Sequence, residues 1–177
     1  MEIMFLTLLP LALWSQAWGL LGFNTNQRTV GIISSSVGII FLGAVIFSPA
    51  ALAPATGASA SALSLLVLVW AVYALLVGAV GLWGLDERTV GFYSLILAGL
   101  SGIYTTYFLL GPILSATGAV STVLGLVSLM LGVIAALNFF QLAPPYPKLR
   151  VVTGWFTLII SIAVVLIGGL AVLGLAL

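Results

Sequence analysis

Arg28-Thr29-Val30-Gly31-Ile32-Ile33-Ser34 returns later in the chain as Arg88-Thr89-Val90-Gly91-Phe92-Tyr93-Ser94. Each copy follows an apolar run that ends near a Trp-Gly-Leu, first Trp18-Gly19-Leu20 and then Trp83-Gly84-Leu85, and each precedes another apolar run. A weaker third copy, Arg150-Val151-Val152-Thr153-Gly154-Trp155, carries its glycine one position late. The unit that repeats is therefore apolar run, short polar turn with a basic residue, apolar run. This is the pattern of a two-helix hairpin used three times around an axis.

The composition fixes the solvent. Of 177 residues, 63% are hydrophobic and 4% are charged, where ordinary soluble domains carry roughly a quarter charged residues. The apolar character persists to Leu177, and no small-residue cleavage site leads into a polar mature domain, so a cleaved signal peptide does not account for it. A bilayer core of about 30 Å asks for about 20 apolar helical residues per crossing. Dividing the chain at its polar, proline and glycine punctuation gives six spans, approximately 3–22, 29–47, 62–83, 89–110, 119–141 and 151–175. The expected architecture is all-α and polytopic, one transmembrane domain over 1–177 with hairpins at about 3–47, 62–110 and 119–175. Barrel strands would need short segments of period-two alternation, and these runs are long and apolar on every face. Pro49, Pro54, Pro112, Pro144, Pro145 and Pro147 are expected between spans, where a missing N–H costs least, and Pro10 near the start of the first span as a first-turn residue or a mild kink.

Arg28, Asp86, Glu87, Arg88, Lys148 and Arg150 all fall in the first, third and fifth connections, which share one side of the membrane. The second and fourth connections and the C-terminus carry no charge, so the positive-inside rule places the charged face in the cytoplasm. Both termini, with Glu2, are then expected outside, in a bacterial or archaeal cell membrane. The turn charges read as helix starts and local ion pairs, with a partner-docking patch as the rival reading; acidic groups are favourable at a helix N-terminus.

Several activities are disfavoured by what the chain lacks. There is no cysteine and no histidine, and the carboxylates are Glu2, Asp86 and Glu87. No general base, nucleophile relay or metal cluster of recognisable spacing can be assembled from these, so neither catalysis nor a metal or other cofactor is expected. A net charge of +1 leaves no nucleic-acid footprint.

Candidate pore residues come from the polar and aromatic positions inside the spans. Thr7, Trp14 and Trp18 fall in a narrow stripe on the first helix at about 100° per residue. Trp14 is a candidate pore wall, and an interfacial aromatic belt is its rival reading, favoured for Trp18. Gln16, Asn138 and Gln141 are amides that need partners in hydrocarbon; Asn138 and Gln16 are candidate solute contacts or helix-to-helix bonds, and Gln141 reads as interfacial. Trp70 and Tyr73, three residues apart, form the candidate constriction of the third helix. Ser121, Gly125, Ser128 and Gly132 make a small-residue stripe that lets backbones approach closely.

The segment Trp83-Gly84-Leu85-Asp86-Glu87-Arg88-Thr89-Val90-Gly91-Phe92-Tyr93-Ser94-Leu95 resembles the Gly-Leu-Asp turn, followed by an aromatic, Ser and Leu, of the amide/urea channel family AmiS/UreI. Thr153-Gly154-Trp155 is similar to a tripeptide opening that family's last span, and Gly19-Leu20-Leu21-Gly22 to its first turn. The resemblance implies three hairpins around one pore, membrane lipid as surroundings, and a homo-oligomer, hexameric as in the family. It also implies passive conduction of a small neutral solute such as urea or a short-chain amide. The departures are specific. Where the family carries an acid in the last span there is Ile160 or a neighbour, and its tryptophan-rich fifth span is replaced by Gly125, Ser128, Gly132, Ala135 and Ala136. Late third-span polar positions hold Val77, Gly78 and Val80, and without histidine the acid gating of one family branch has no basis. Two other expectations stay open beside the channel: a non-conducting assembly subunit of a larger membrane complex, and a path for a less polar molecule such as ammonia.

Overall fold

The computed structural model describes residues 2–23, 25–47, 58–115, 119–144 and 146–172, and among these every regular element is a helix. They are α1 (Glu2–Leu21), α2 (Gln27–Phe47), α3 (Ala58–Trp83), α4 (Glu87–Ser115), α5 (Ala119–Leu142) and α6 (Pro147–Val172). All six contain a window long and apolar enough to cross a membrane; the shortest, α1, has 20 residues, about 30 Å at 1.5 Å per residue. The chain is an integral membrane protein. The second connection expected from the sequence lies largely outside the described residues, as do 116–118 of the fourth, the last residues of the chain and the side chains of Glu2 and Ser121.

Chemistry at the turns explains where the helices start and stop. Asn26 and Asp86 occupy equivalent positions before α2 and α4, and each side-chain oxygen accepts the backbone N–H of the motif arginine, Arg28 at 2.9 Å and Arg88 at 3.0 Å. Both are N-caps that satisfy an otherwise orphaned donor, so the repeated phrase is the first turn of a capped helix. At the other end of each turn, Gly22 and Gly84 sit at φ 76° and 66°, and their N–H groups reach back to Trp18 O at 3.1 Å and Val80 O at 2.9 Å. A left-handed glycine closing a helix in this way is a C-cap. Helix α6 opens on Pro147 rather than near Val151, because proline suits the first helical position. Pro10 lies inside α1, as expected, but past its first turn, and α4 includes Pro112 instead of ending before it.

The helices form a closed ring. Each packs on its sequence neighbours, and α6 packs on α1 to close the circle. The most extensive packing does not lie within the three repeated hairpins, however. It joins α2 to α3, α4 to α5 and α6 to α1. The motif glycines explain this. A Cβ on Gly31 would lie 3.0 Å from Gly78 O, one on Gly91 2.6 Å from Ala143 N, and one on Gly154 2.9 Å from the Leu21 side chain. The repeated phrase thus places a bare backbone where each even-numbered helix crosses the end of the adjacent odd-numbered one, and Gly154 confirms the blurred third copy. Close approach through small residues is the means by which helices associate in lipid, where apolar burial gives no net drive.

The odd-numbered helices supply most of the interior. Phe5, Leu9 and Leu13 on α1, Leu66, Val67 and Trp70 on α3, and Val127, Leu131 and Ile134 on α5 are all below 2% exposed. The outer faces of α2 and α4 carry exposed Ile32, Ile39, Ile40, Leu95, Ile96 and Ile103, as expected of surfaces that face lipid.

Candidate functional site: an amide and phenol belt above a vestibule

Three odd-numbered helices running in the same direction bring Gln16, Tyr73 and Asn138 together in the interior. Asn138 Nδ2 donates to the Tyr73 hydroxyl at 2.7 Å, and Tyr73 donates onward to Gln16 Oε1 at 3.5 Å. Gln16 Nε2 then donates to Ser34 Oγ on α2 at 3.2 Å. The four side chains are buried, from 0% exposed for Ser34 to 7% for Gln16. A hydrogen-bonded chain of uncharged groups therefore crosses the bundle from α5 through α3 and α1 to α2. In hydrocarbon such groups are retained only if they find one another or face water. The 3.5 Å link between Tyr73 and Gln16 is the longest in the chain and sits at the outer limit of a hydrogen bond.

From the charged end, a cavity of about 390 Å³ descends to this belt. Its mouth includes Gln27, Glu87 and Arg150, its walls Val77, Val80 and Leu142, and its floor Gln16, Tyr73 and Asn138. Gln27 Nε2 donates to Glu87 Oε1 at 3.2 Å, and Arg150 Nη2 to Gly19 O at 3.3 Å, so the three charged turns meet at one end of the ring. On the far side of the belt, the apolar residues of α1, α3 and α5 named above fill the interior. The cavity reaches the belt from the charged end, and beyond the belt the filling is apolar apart from the Trp70 indole N–H.

The candidates from the sequence divide clearly. Trp70, Tyr73 and Asn138 lie inside: Trp70 is 0% exposed, and its ring meets Tyr73 edge-on at 5.3 Å between centroids. Thr7 and Trp14 do not line the axis. Both are exposed on the outer side of α1, Trp14 at 40% and stacked edge-on against Trp18 at 5.8 Å. The reason is helical geometry: Trp14 is two residues from Gln16, about 200° around the helix, so only one of them can face the axis. The turn residues Arg28, Asp86, Glu87, Arg88, Lys148 and Arg150 are all exposed, with Asp86 serving as a cap and Glu87 and Arg150 at the cavity mouth. Ile160, where the resembling family carries an acid, is buried at 8% exposure. Gln141, read from sequence as interfacial, is 9% exposed and lines the cavity one turn from Asn138. Its three-residue spacing from Asn138 was the available sign.

Six apolar helices closed into a ring, with a cavity entering from the charged end, define a polytopic membrane protein of the bundle type. The particular fold is that of the Helicobacter pylori urea channel. Its cryoEM structure in the closed state is similar with a TM-score of 0.75 and 17% identity, and the crystal structure with a TM-score of 0.76 and 18% identity. Each comparison covers 98% of this chain and 98% of the channel. No family model and no curated protein matches the sequence.

Proposed function

We propose that this protein is a passive membrane channel for a small neutral solute of the urea or short-chain amide type, a divergent relative of the AmiS/UreI family. The observation that carries the reading is the Gln16–Tyr73–Asn138 belt at the floor of the cavity. It offers carbonyl, hydroxyl and amide groups with no fixed charge, so it can exchange hydrogen bonds with a urea or carboxamide, while three side chains already bonded to one another supply neither the ring of ligands nor the counter-charge that would replace an ion's hydration shell. The full-length likeness in fold to the urea channel supports the same reading. No Asp, Glu, Lys, Arg or His side chain lines the described interior beyond the mouth, and proton relays are built from Asp, Glu or His, so movement is downhill. The pore-facing set is Tyr73, Asn138 and Gln16, with Trp70 one turn farther in. We take the charged end as cytoplasmic and both termini as outside, from the positive-inside rule. Assembly follows the family as a homo-oligomer, hexameric in the first instance, in a bacterial or archaeal membrane.

The apolar filling beyond the belt favours a second reading, a non-conducting subunit of a larger membrane complex. Stopped-flow uptake of urea and acetamide into proteoliposomes separates the two. Permeation well above that of empty liposomes is expected, and parity with them for both solutes, and for ammonia, would sink the channel.

A further inference from the structure

Two buried polar atoms flank the belt without a hydrogen-bond partner, and they are of opposite kind. Gln141 Oε1 is an acceptor on the cavity side, on a residue 9% exposed that lines the cavity. Trp70 Nε1 is a donor on the inner side, on a residue 0% exposed. Gln141 follows Asn138 by one turn toward the charged end of α5, and Trp70 precedes Tyr73 by one turn toward the far end of α3. Along the axis the order is an unpartnered carbonyl, a belt whose members bond one another, and an unpartnered N–H. Buried polar groups are nearly always paired, and an orphan in a low-dielectric interior is costly. Two orphans of opposite polarity on either side of the floor of one cavity are what a ligand-reading site leaves when it is not engaged.

We infer that Gln141 and Trp70 read the two ends of a carboxamide: Gln141 Oε1 accepts from the solute's N–H on entry, and Trp70 N–H donates to its carbonyl oxygen beyond the belt. The inference rests on the channel reading and narrows it, because it makes an N–H donor a requirement of the first station and a carbonyl acceptor a requirement of the second. Tyr73 lies between, its ring against the Trp70 indole and its hydroxyl held by Asn138. A solute that breaks the long Tyr73–Gln16 link takes over a bond that is already weak. The site selects by pairing: an analogue without N–H leaves Gln141 orphaned, and leaving a buried group unpaired is how a polar site discriminates strongly between near-isosteres. Ammonia, with no carbonyl, would engage only the first station.

The test uses propionamide and N,N-dimethylformamide, isomers of equal composition of which only the first carries N–H donors. In proteoliposomes, Gln141→Met should lower propionamide permeability at least fivefold and change dimethylformamide less than twofold. Trp70→Phe, which keeps a ring and loses the N–H, should lower both at least threefold. Independently of transport, the ¹⁵N-indole resonance of Trp70 in detergent-solubilised protein, assigned by its absence in Trp70→Phe, should move on titration with propionamide. An unmoved Trp70 resonance, or an unchanged propionamide-to-dimethylformamide ratio in Gln141→Met, overturns the inference while leaving the channel standing. If the wild-type protein conducts neither of these, nor urea, acetamide or ammonia, the channel reading fails, and the Trp70 resonance alone then decides whether a two-ended amide site exists.

Discussion

The Asn138 amide on α5 donates to the Tyr73 hydroxyl on α3 at 2.7 Å, with both side chains buried. The bond ties two odd-numbered helices that are not neighbours in the ring, since α4 intervenes in sequence and in packing. Replacing Tyr73 by Phe removes the group that both Asn138 Nδ2 and Gln16 Oε1 use. An interhelical hydrogen bond in a membrane averages roughly 0.6 kcal/mol, but two orphaned partners push the cost toward the range for unsatisfied buried groups, about 1–3 kcal/mol. We expect Tyr73→Phe to cost about 1–2 kcal/mol in reversible unfolding in detergent. A double-mutant cycle with Asn138→Leu should show non-additivity; losses that add within about 0.3–0.5 kcal/mol would mean the pair is not coupled.

The ring's crossings predict a rank order among glycines. A Cβ on Gly81 would meet Gln27 O at 2.7 Å and Gly31 Cα at 2.9 Å, both backbone atoms that cannot move aside. On Gly154 it would meet the Leu21 side chain at 2.9 Å, which can rotate, and on Gly99 it would meet nothing within 4 Å. Gly81→Ala should therefore lose about 1–3 kcal/mol by overpacking, Gly154→Ala less, and Gly99→Ala should be neutral or stabilising because it removes chain entropy from the unfolded state. Thermal midpoints of the three variants in one detergent provide the check. Equal midpoints for Gly81→Ala and Gly99→Ala would contradict the α2–α3 crossing.

Removing the cap at the start of α4 isolates the role of the turn charges. Asp86→Ala deletes the acceptor of the Arg88 N–H and should cost about 1 kcal/mol, while Asp86→Asn, which retains the oxygen and matches Asn26 in the first turn, should cost little. If Asn behaves like Ala in unfolding measurements, the carboxylate acts through charge and not as a cap.

Trp14 and Trp70 test which face of each helix points inward. Trp70→Ala should empty a large interior volume and cost about 3–5 kcal/mol, whereas Trp14→Leu, at an exposed position, should stay within about 0.5 kcal/mol and leave flux unchanged. The same pair marks the limits of reading this sequence. Length and composition reveal six spans because the bilayer imposes them on every helix. The charged turns reveal which connections share an end. Inward faces are another matter: when a helix is apolar all round, periodicity carries no direction, and an aromatic stripe such as Thr7–Trp14–Trp18 satisfies lipid as well as a pore wall. Gln16 decides the face of α1, because a buried amide needs partners, and those partners, Tyr73 and Ser34, come from other helices. Nor does the hairpin repeat disclose that its glycines join different hairpins. That follows from which backbones approach closely, a property of the ring and not of any one segment.

Beyond the belt the described side chains of α1, α3 and α5 that fill the interior are apolar apart from the Trp70 indole N–H, and this filling predicts how conduction responds to trimming. Leu131 on α5 and Leu66 on α3 are both 0% exposed, each seven residues, about two turns, farther from the charged end than Asn138 and Tyr73. Leu131→Ala would leave a cavity if the neighbours stay in place, at a stability cost of about 2–5 kcal/mol. If this layer limits flux, the same substitution should raise urea permeability in proteoliposomes several-fold over wild type despite the lost stability. Leu97→Ala provides the control: Leu97 is equally buried, at 1% exposed, but lies on α4, so it should lower stability by a similar amount without raising flux. A rise in both variants would indicate general loosening of the bundle, and a rise in neither would place the limiting step at the hydrogen-bonded belt.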